Sequence, residues 1–201
     1  MPRPDDNATD GLLLDELRAV GALKDGHFLL SSGRHAGRYV EKFDLLRRPS
    51  ATERVCRGFA GRFRGERIDV VVGPTTGGVI LAFEVGRQLG VDAAYAERRA
   101  DGAAGREFRR GTTFAAGARV LVVDDILTTG GSVRETLAAL DGHGVEVAAV
   151  AVLVDRSGGR VAFGAPLVAL ATLDVPTYEP SECPLCADGV TLVKPGTTAV
   201  V

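Results

Sequence analysis

Val120-Leu121-Val122-Val123-Asp124-Asp125-Ile126-Leu127-Thr128-Thr129-Gly130-Gly131-Ser132 joins four apolar β-formers, an acidic pair and a turn of hydroxyls and glycines. Val133 to Leu140 follows with helical spacing, so the run predicts strand, turn and helix N-terminus in direct succession. The first N–H groups of such a helix lack intrahelical partners and carry partial positive charge, which favours a bound phosphate. Glycines allow the backbone to close around the anion, and Thr128, Thr129 and Ser132 add hydroxyl donors. Asp124 and Asp125 would repel that phosphate unless sugar hydroxyls or hydrated Mg2+ occupy them. A ligand carrying a vicinal diol beside a 5'-phosphate satisfies both halves of the stretch.

No Lys follows the glycines, as a Walker A loop requires, and there is no GxGxxG dinucleotide turn. The pattern of apolar strand, acidic pair, two spacer residues (Ile126, Leu127) and T-T-G-G-S instead resembles the phosphoribosyl-diphosphate-binding motif of the type I phosphoribosyltransferases. The alternative is an ordinary buried strand closed by an acidic turn.

A second strand–turn–helix unit supports the first reading. Ile68 to Val72 has the continuous apolar character of a buried parallel strand, and Gly73-Pro74-Thr75-Thr76-Gly77-Gly78 follows it without a charge. Taken alone, that turn is either a tight connection or a second phosphate cradle. Val79 to Leu89 is its helix, and Ala93 to Ala96 a further short strand. Residues 98–111 then show no hydrophobic period and hold five arginines, Arg98, Arg99, Arg106, Arg109 and Arg110. They read as a mobile basic segment able to fold over a polyanion, or as a solvated hairpin. Val145 to Val154 is a long strand ending at Asp155-Arg156. There Arg156 is placed to meet an anionic substrate, or else to pair with Asp155.

The rest sets bounds. The chain has 201 residues and a formal net charge of −2, enough for one domain with a sizeable core and unsuited to nucleic acid as the main partner. Its polar N-terminus lacks a signal-peptide layout and no apolar run spans a membrane, so a cytoplasmic protein is expected. Residues 1–9 read as a loose tail and Asp10 to Val20 as a helix. Phe28 to Leu30 and Tyr39 to Phe43 read as short strands. Pro49 followed by Ser50 to Glu53 reads as a capping box ahead of Val55, Phe59 and Phe63. From residue 50 the alternation of strands and helices predicts a doubly wound, mainly parallel α/β sheet. Residues 10–45 form a small cap over the strand ends, and Leu167 to Leu173 is the last strand. Residues 174–201 are expected to be an irregular tail. That tail holds Cys183-Pro184-Leu185-Cys186, two of three cysteines. One CxxC supplies half the ligands of a structural zinc, and His27, His35, His143 and Cys56 show no metal-site spacing to it. It is read as a plain turn with no metal assigned, the alternative being a shared or intersubunit metal.

Several stretches together are similar to the orotate phosphoribosyltransferases. They are Gly21-Ala22-Leu23 with Phe28 and Ser32-Gly33, the turn at 73–78, the stretch at 120–132, and Val154-Asp155-Arg156. That resemblance implies Mg2+-dependent transfer of ribose 5-phosphate from phosphoribosyl diphosphate to N1 of orotate. It places Asp124 and Asp125 on the ribose hydroxyls, Thr129 to Ser132 on the 5'-phosphate, and Thr75, Thr76 and Gly77 on the diphosphate. Arg98 would add charge to the diphosphate, and Arg156 with Thr128 would meet orotate. The catalytic set is then Asp124, Asp125 and Arg98, working in a homodimer whose 98–111 loops reach the neighbouring site. Two features depart from the family. Ser31 stands where many members have a lysine, and the loop has arginines where many have lysines and a histidine, a change of donor geometry. A phosphoribosyltransferase for a purine, or a non-catalytic binder of the same diphosphate, are the alternatives.

Overall fold

The structure is a computed structural model describing residues 6–195, with side chains from residue 11 onward. Helix α1 (Asp6–Ala19) begins before its expected start at Asp10; the rest of the expected loose tail, residues 1–5, lies outside the described residues. A hairpin follows, β1 (Leu23–Leu29) against β2 (His35–Val40), antiparallel with a bulge between Asp25 and Phe28. The expected strand over Tyr39 to Phe43 stops at Val40. The Glu41 carboxylate accepts from the Phe43 N–H at 3.3 Å and starts a short helix, α2 (Lys42–Leu46).

Helix α3 (Pro49–Phe63) begins at its proline, so the expected Ser50–Glu53 capping box does not form. Proline presets the helical φ and has no N–H to satisfy, which allows the start at that residue. Then come β3 (Val70–Pro74), α4 (Gly77–Leu89), β4 (Asp92–Arg98), β5 (Arg106–Glu107), β6 (Arg119–Leu127), α5 (Gly131–Leu140), β7 (Glu146–Asp155) and β8 (Leu167–Thr172). They form a six-stranded sheet in the order β5-β4-β3-β6-β7-β8, parallel except for the β4–β5 pair. This is the expected mainly parallel α/β sheet.

Strand periodicity divides the core. Val71, Leu121 and Val123 pack with Val55, Phe59, Leu81 and Val85 from α3 and α4. Their neighbours Val70, Val72, Val120 and Val122 face the other way, toward Val133 and Leu140 of α5. Both faces are covered, which explains why β3 and β6 read as continuous apolar runs. Each fully buried side chain of this kind contributes ~1.5–3 kcal/mol, so the two central strands anchor the sheet.

The segment after Asp174, expected to be irregular, returns to the cap. Its strands β9 (Thr177–Tyr178) and, beyond the short helix α6 (Pro184–Ala187), β10 (Leu192–Val193) complete a small sheet in the order β10-β1-β2-β9. Arg34 in the hairpin turn secures β9. Its Nε donates to Thr177 Oγ1 at 2.9 Å, Nη2 to Thr177 O at 2.8 Å, and it pairs with Glu179.

Going outward from the boundary between β3 and β6, the chain winds toward β4 on one side and toward β7 on the other. Their C-terminal ends therefore form the switch point at which open α/β sheets bind ligands. Tight packing there requires glycine, since a Cβ on Gly73 would sit 2.1 Å from Gly78 O. Gly73→Ala should lower the unfolding free energy by about 3 kcal/mol. Gly61→Ala, exposed on α3 with nothing within 4 Å, should raise it by roughly 0.5–1 kcal/mol. Urea denaturation of the two variants tests the contrast.

Candidate active site

Expected to follow a strand, Asp124 and Asp125 instead lie inside β6, which runs on to Leu127. Adjacent strand residues face opposite sides, so the two carboxylates part. Asp124 has the parity of Val120 and Val122 and turns toward α5. Its Oδ2 accepts from Ser132 Oγ at 2.6 Å and its Oδ1 from the Asp125 N–H at 2.9 Å. Asp125 turns toward α2 and α4. Its Oδ1 accepts from the Ile126 N–H at 2.7 Å and from Lys42 Nζ at 3.0 Å. Asp125 Oδ2 lies 2.8 Å from the same ammonium but has no aligned hydrogen bond. A Cβ at Gly77 would fall 1.9 Å from that oxygen, so only glycine fits beneath it.

Both carboxylates are buried, at 6% and 3% exposure. Burial, and secondarily the charge of Asp125, push the Asp124 carboxyl up to about 6. The Ser132 hydroxyl, the Asp125 N–H and the Lys42 ammonium oppose the rise. Nearby cations or hydroxyl donors would relieve this stress.

The turn after β6 carries out the expected geometry. Thr128 and Thr129 are exposed, and Gly130 is the N-cap of α5 at φ +80° with no side chain capping the helix. The first N–H groups of α5 thus point outward beside two free hydroxyls. The spacers serve the fold instead: Leu127 is buried in the core beneath α5, and Ile126 packs against the opposite core. Across the switch point, Thr76 is the N-cap of α4, again without a side-chain cap, and the Thr75–Thr76 peptide is cis.

Arg106 was not singled out from its four neighbours in the sequence, yet it alone of the five is buried. Its Nη1 donates to Thr75 Oγ1 at 2.9 Å and to Ala96 O at 3.1 Å, and Nε lies 3.3 Å from Glu135 Oε2. It thereby ties the 73–78 turn to α5. Burial pulls its pKa down, against the pull of Glu135. For residues 98–111 the sequence leaves a mobile basic segment or a solvated hairpin. They start as a β4–β5 hairpin with Arg98 opposite Arg106, the second of these alternatives except that Arg106 is buried, and Arg109 lies 3.7 Å from Glu107. Arg99 pairs with Asp101 and Arg110 with Glu97. Arg98 is exposed and makes no side-chain hydrogen bond or ion pair among the described residues.

Arg156 follows β7, and its N–H donates to Leu127 O at 2.8 Å, which sets it beside Thr128. The alternative pairing with Asp155 is absent, because Asp155 Oδ1 accepts the Ser157 N–H at 2.7 Å. Arg156 Nε is buried without a partner. Burial lowers this guanidinium's pKa, while Tyr39 on the cap opposes the shift. Lys42 and Tyr39 were both missed as site residues. The only signal for Lys42 was its rarity among three lysines.

A family model described as the phosphoribosyl transferase domain matches residues 45–170. An orotate phosphoribosyltransferase of Caldicellulosiruptor saccharolyticus is 48% identical over 179 residues, covering 89% of this chain and 92% of that one. The crystal structure of the orotate phosphoribosyltransferase from Aeropyrum pernix is similar with a TM-score of 0.68 and 32% identity, over 80% of this chain and 93% of that one. The Mycobacterium tuberculosis H37Rv orotate phosphoribosyltransferase gives 0.65 and 28%, over 85% and 97%. Likeness at nearly full length on both sides takes in the cap as well as the sheet. The chain belongs to the orotate phosphoribosyltransferase family.

Proposed function

We propose that this protein transfers ribose 5-phosphate from 5-phosphoribosyl 1-diphosphate to N1 of orotate, giving orotidine 5'-phosphate and diphosphate in pyrimidine biosynthesis. The observation that carries the reading is Arg156, whose buried Nε lacks a partner where its backbone meets the end of β6 at Leu127. A desolvated guanidinium without a counter-charge suits a carboxylate-bearing base and has no use for a neutral purine. The N–H groups and hydroxyls at Thr129 to Ser132 would take the 5'-phosphate, and Thr75 to Gly77 the diphosphate. Asp124 and Asp125 would accept from the ribose hydroxyls.

The donor chemistry also fits Mg2+, since hard cations take carboxylate oxygens and Asp124 and Asp125 supply two adjacent carboxylates. Bound Mg2+ would neutralise charge on the departing diphosphate. In the transfer the C1'–O bond breaks, its electron pair leaves with diphosphate, and N1 gives up its proton to solvent as it bonds to C1'. The buried carboxylates lie near the positive charge that develops on the sugar. Catalysis is by positioning and electrostatics, with no nucleophilic side chain needed. Arg98, exposed and without a side-chain partner among the described residues, would clamp diphosphate across a homodimer. A cytoplasmic location accompanies this reading; among the described residues no helix is long and apolar enough to cross a membrane.

Diphosphate release measured with orotate, uracil, adenine and hypoxanthine in parallel tests the activity, and turnover with purine alone would overturn it. Arg156→Ala should weaken orotate binding roughly ten- to a hundredfold, the loss of one charge-assisted pair, and leave phosphoribosyl diphosphate affinity nearly unchanged. Calorimetric titration of both ligands separates these outcomes.

Asp124→Asn should abolish most turnover yet stabilise the fold. A carboxyl whose folded pKa is raised binds more protons folded than unfolded, so stability declines as pH rises from about 4 through about 6. Above that range the ionised group costs about 3 kcal/mol. The variant should therefore gain about 1–3 kcal/mol at pH 8 and almost nothing near pH 4, as thermal melts across pH would show.

Mixing Arg98→Ala with Asp124→Asn subunits should restore activity, since one site of the mixed dimer then has intact aspartates and an intact loop from its neighbour. Activity after subunit exchange, compared with either variant alone, is the measurement. No recovery in proven mixed dimers would mean that each loop serves its own chain.

A further inference from the structure

Away from the switch point, two residues of the cap hairpin and two of the tail meet. His27 lies on β1 and His35 on β2; Cys183 and Cys186 flank the start of α6. One ligand atom from each lies within 4.8 Å of all the others. His27 Nε2 is 2.9 Å from His35 Nδ1, 3.4 Å from Cys183 Sγ and 3.7 Å from Cys186 Sγ, and Cys186 Sγ is 3.3 Å from His35 Nδ1. We infer that these four side chains form a tetrahedral site for a structural zinc ion, which pins the tail to the cap.

Zinc bonds of ~2.0–2.1 Å to nitrogen and ~2.3 Å to sulfur give tetrahedral edges of roughly 3.3 Å between nitrogens and 3.6 Å between nitrogen and sulfur. The four contacts fall within a few tenths of an ångström of those edges. Two imidazole nitrogens 2.9 Å apart need a proton or a cation between them. A shared proton accounts for that one contact, whereas two sulfurs converging on the same point call for the cation.

The tautomer agrees. His27 Nδ1 lies 2.8 Å from Val190 O, and a carbonyl only accepts, so Nδ1 carries the proton and Nε2 presents its lone pair inward. Holding a ligating imidazole through its other nitrogen is the usual support of a metal site. Two sulfurs with two imidazoles select zinc over Mg2+ or Ca2+, which prefer oxygen. On binding, both thiols lose their protons to solvent and no electron is transferred.

The tail shows what the ion would do. From Asp174 to Pro195, Cys183 is the one buried residue. Strands of two residues and a helix of four cannot bury enough apolar surface to hold a segment in place. A metal cross-link to the buried histidines supplies the missing constraint. It also completes the cap, since β9 and β10 are its outer strands.

The test is metal content and the visible spectrum of the full-length protein. After expression with Zn2+ and exhaustive dialysis, about one zinc per chain is expected, with no binding in His35→Gln or Cys186→Ser. Co2+ in place of zinc should give the intense d–d and thiolate charge-transfer bands of a tetrahedral S2N2 site. Chelation should speed proteolytic cleavage within 174–195 about tenfold without unfolding the sheet domain. Zinc well below stoichiometry together with a Co2+ spectrum lacking thiolate bands would overturn the site. So would a Cys183–Cys186 disulfide in the protein as purified, detected as the loss of two hydrogens. If a variant fails to fold, the cobalt spectrum of the unaltered protein still decides the matter, and none of these measurements depends on transferase activity.

Discussion

Two carboxylates side by side in a central buried strand are the constraint around which the molecule is arranged. Strand β6 places Asp124 and Asp125 on opposite faces, so neighbouring elements must answer each one separately. Ser132 on α5 serves Asp124, while Lys42 on α2 and the bare backbone of Gly77 on α4 serve Asp125. The glycines of the 73–78 turn follow from the same demand for close approach. Desolvated negative charge opposes folding, and the apolar faces of β3 and β6 offset it. Hydroxyl donors or cations approaching the pair would lower this electrostatic stress.

The arginines show how one residue type is sorted by its partners. Arg106 is drawn inside because Thr75, Ala96 and Glu135 surround its guanidinium with acceptors. Arg99 and Arg110 stay outside on Asp101 and Glu97, pairs of little energetic weight in water. Among the described residues Arg98 and Arg156 have no such acceptor, the first in solvent and the second half-buried.

Cap and tail depend on each other in the same non-local way. The β1–β2 hairpin lies near the N-terminus, yet both of its outer strands come from beyond residue 176. Besides the strand pairing, Arg34, His27 and His35 of the hairpin reach that tail through their side chains. The cap also bears Tyr39, whose phenol acts electrostatically on Arg156.

Sequence alone determined the parallel α/β sheet, the switch-point turns and the acidic pair, because strand runs, glycine turns and helix starts are local patterns of a few residues. Local competition defeated it at Glu41, where a side-chain cap starts α2 and ends a strand early, and at Pro49, where the proline displaces the Ser50 capping box. Only the tertiary structure chose Arg106 from among five arginines and left Arg156 without Asp155. Only it brought His27 and His35 to Cys183 and Cys186, as partners more than 140 positions apart leave no spacing to read. Such contacts exist once chain closure has carried the tail across the cap, and no window of neighbouring residues encodes that geometry.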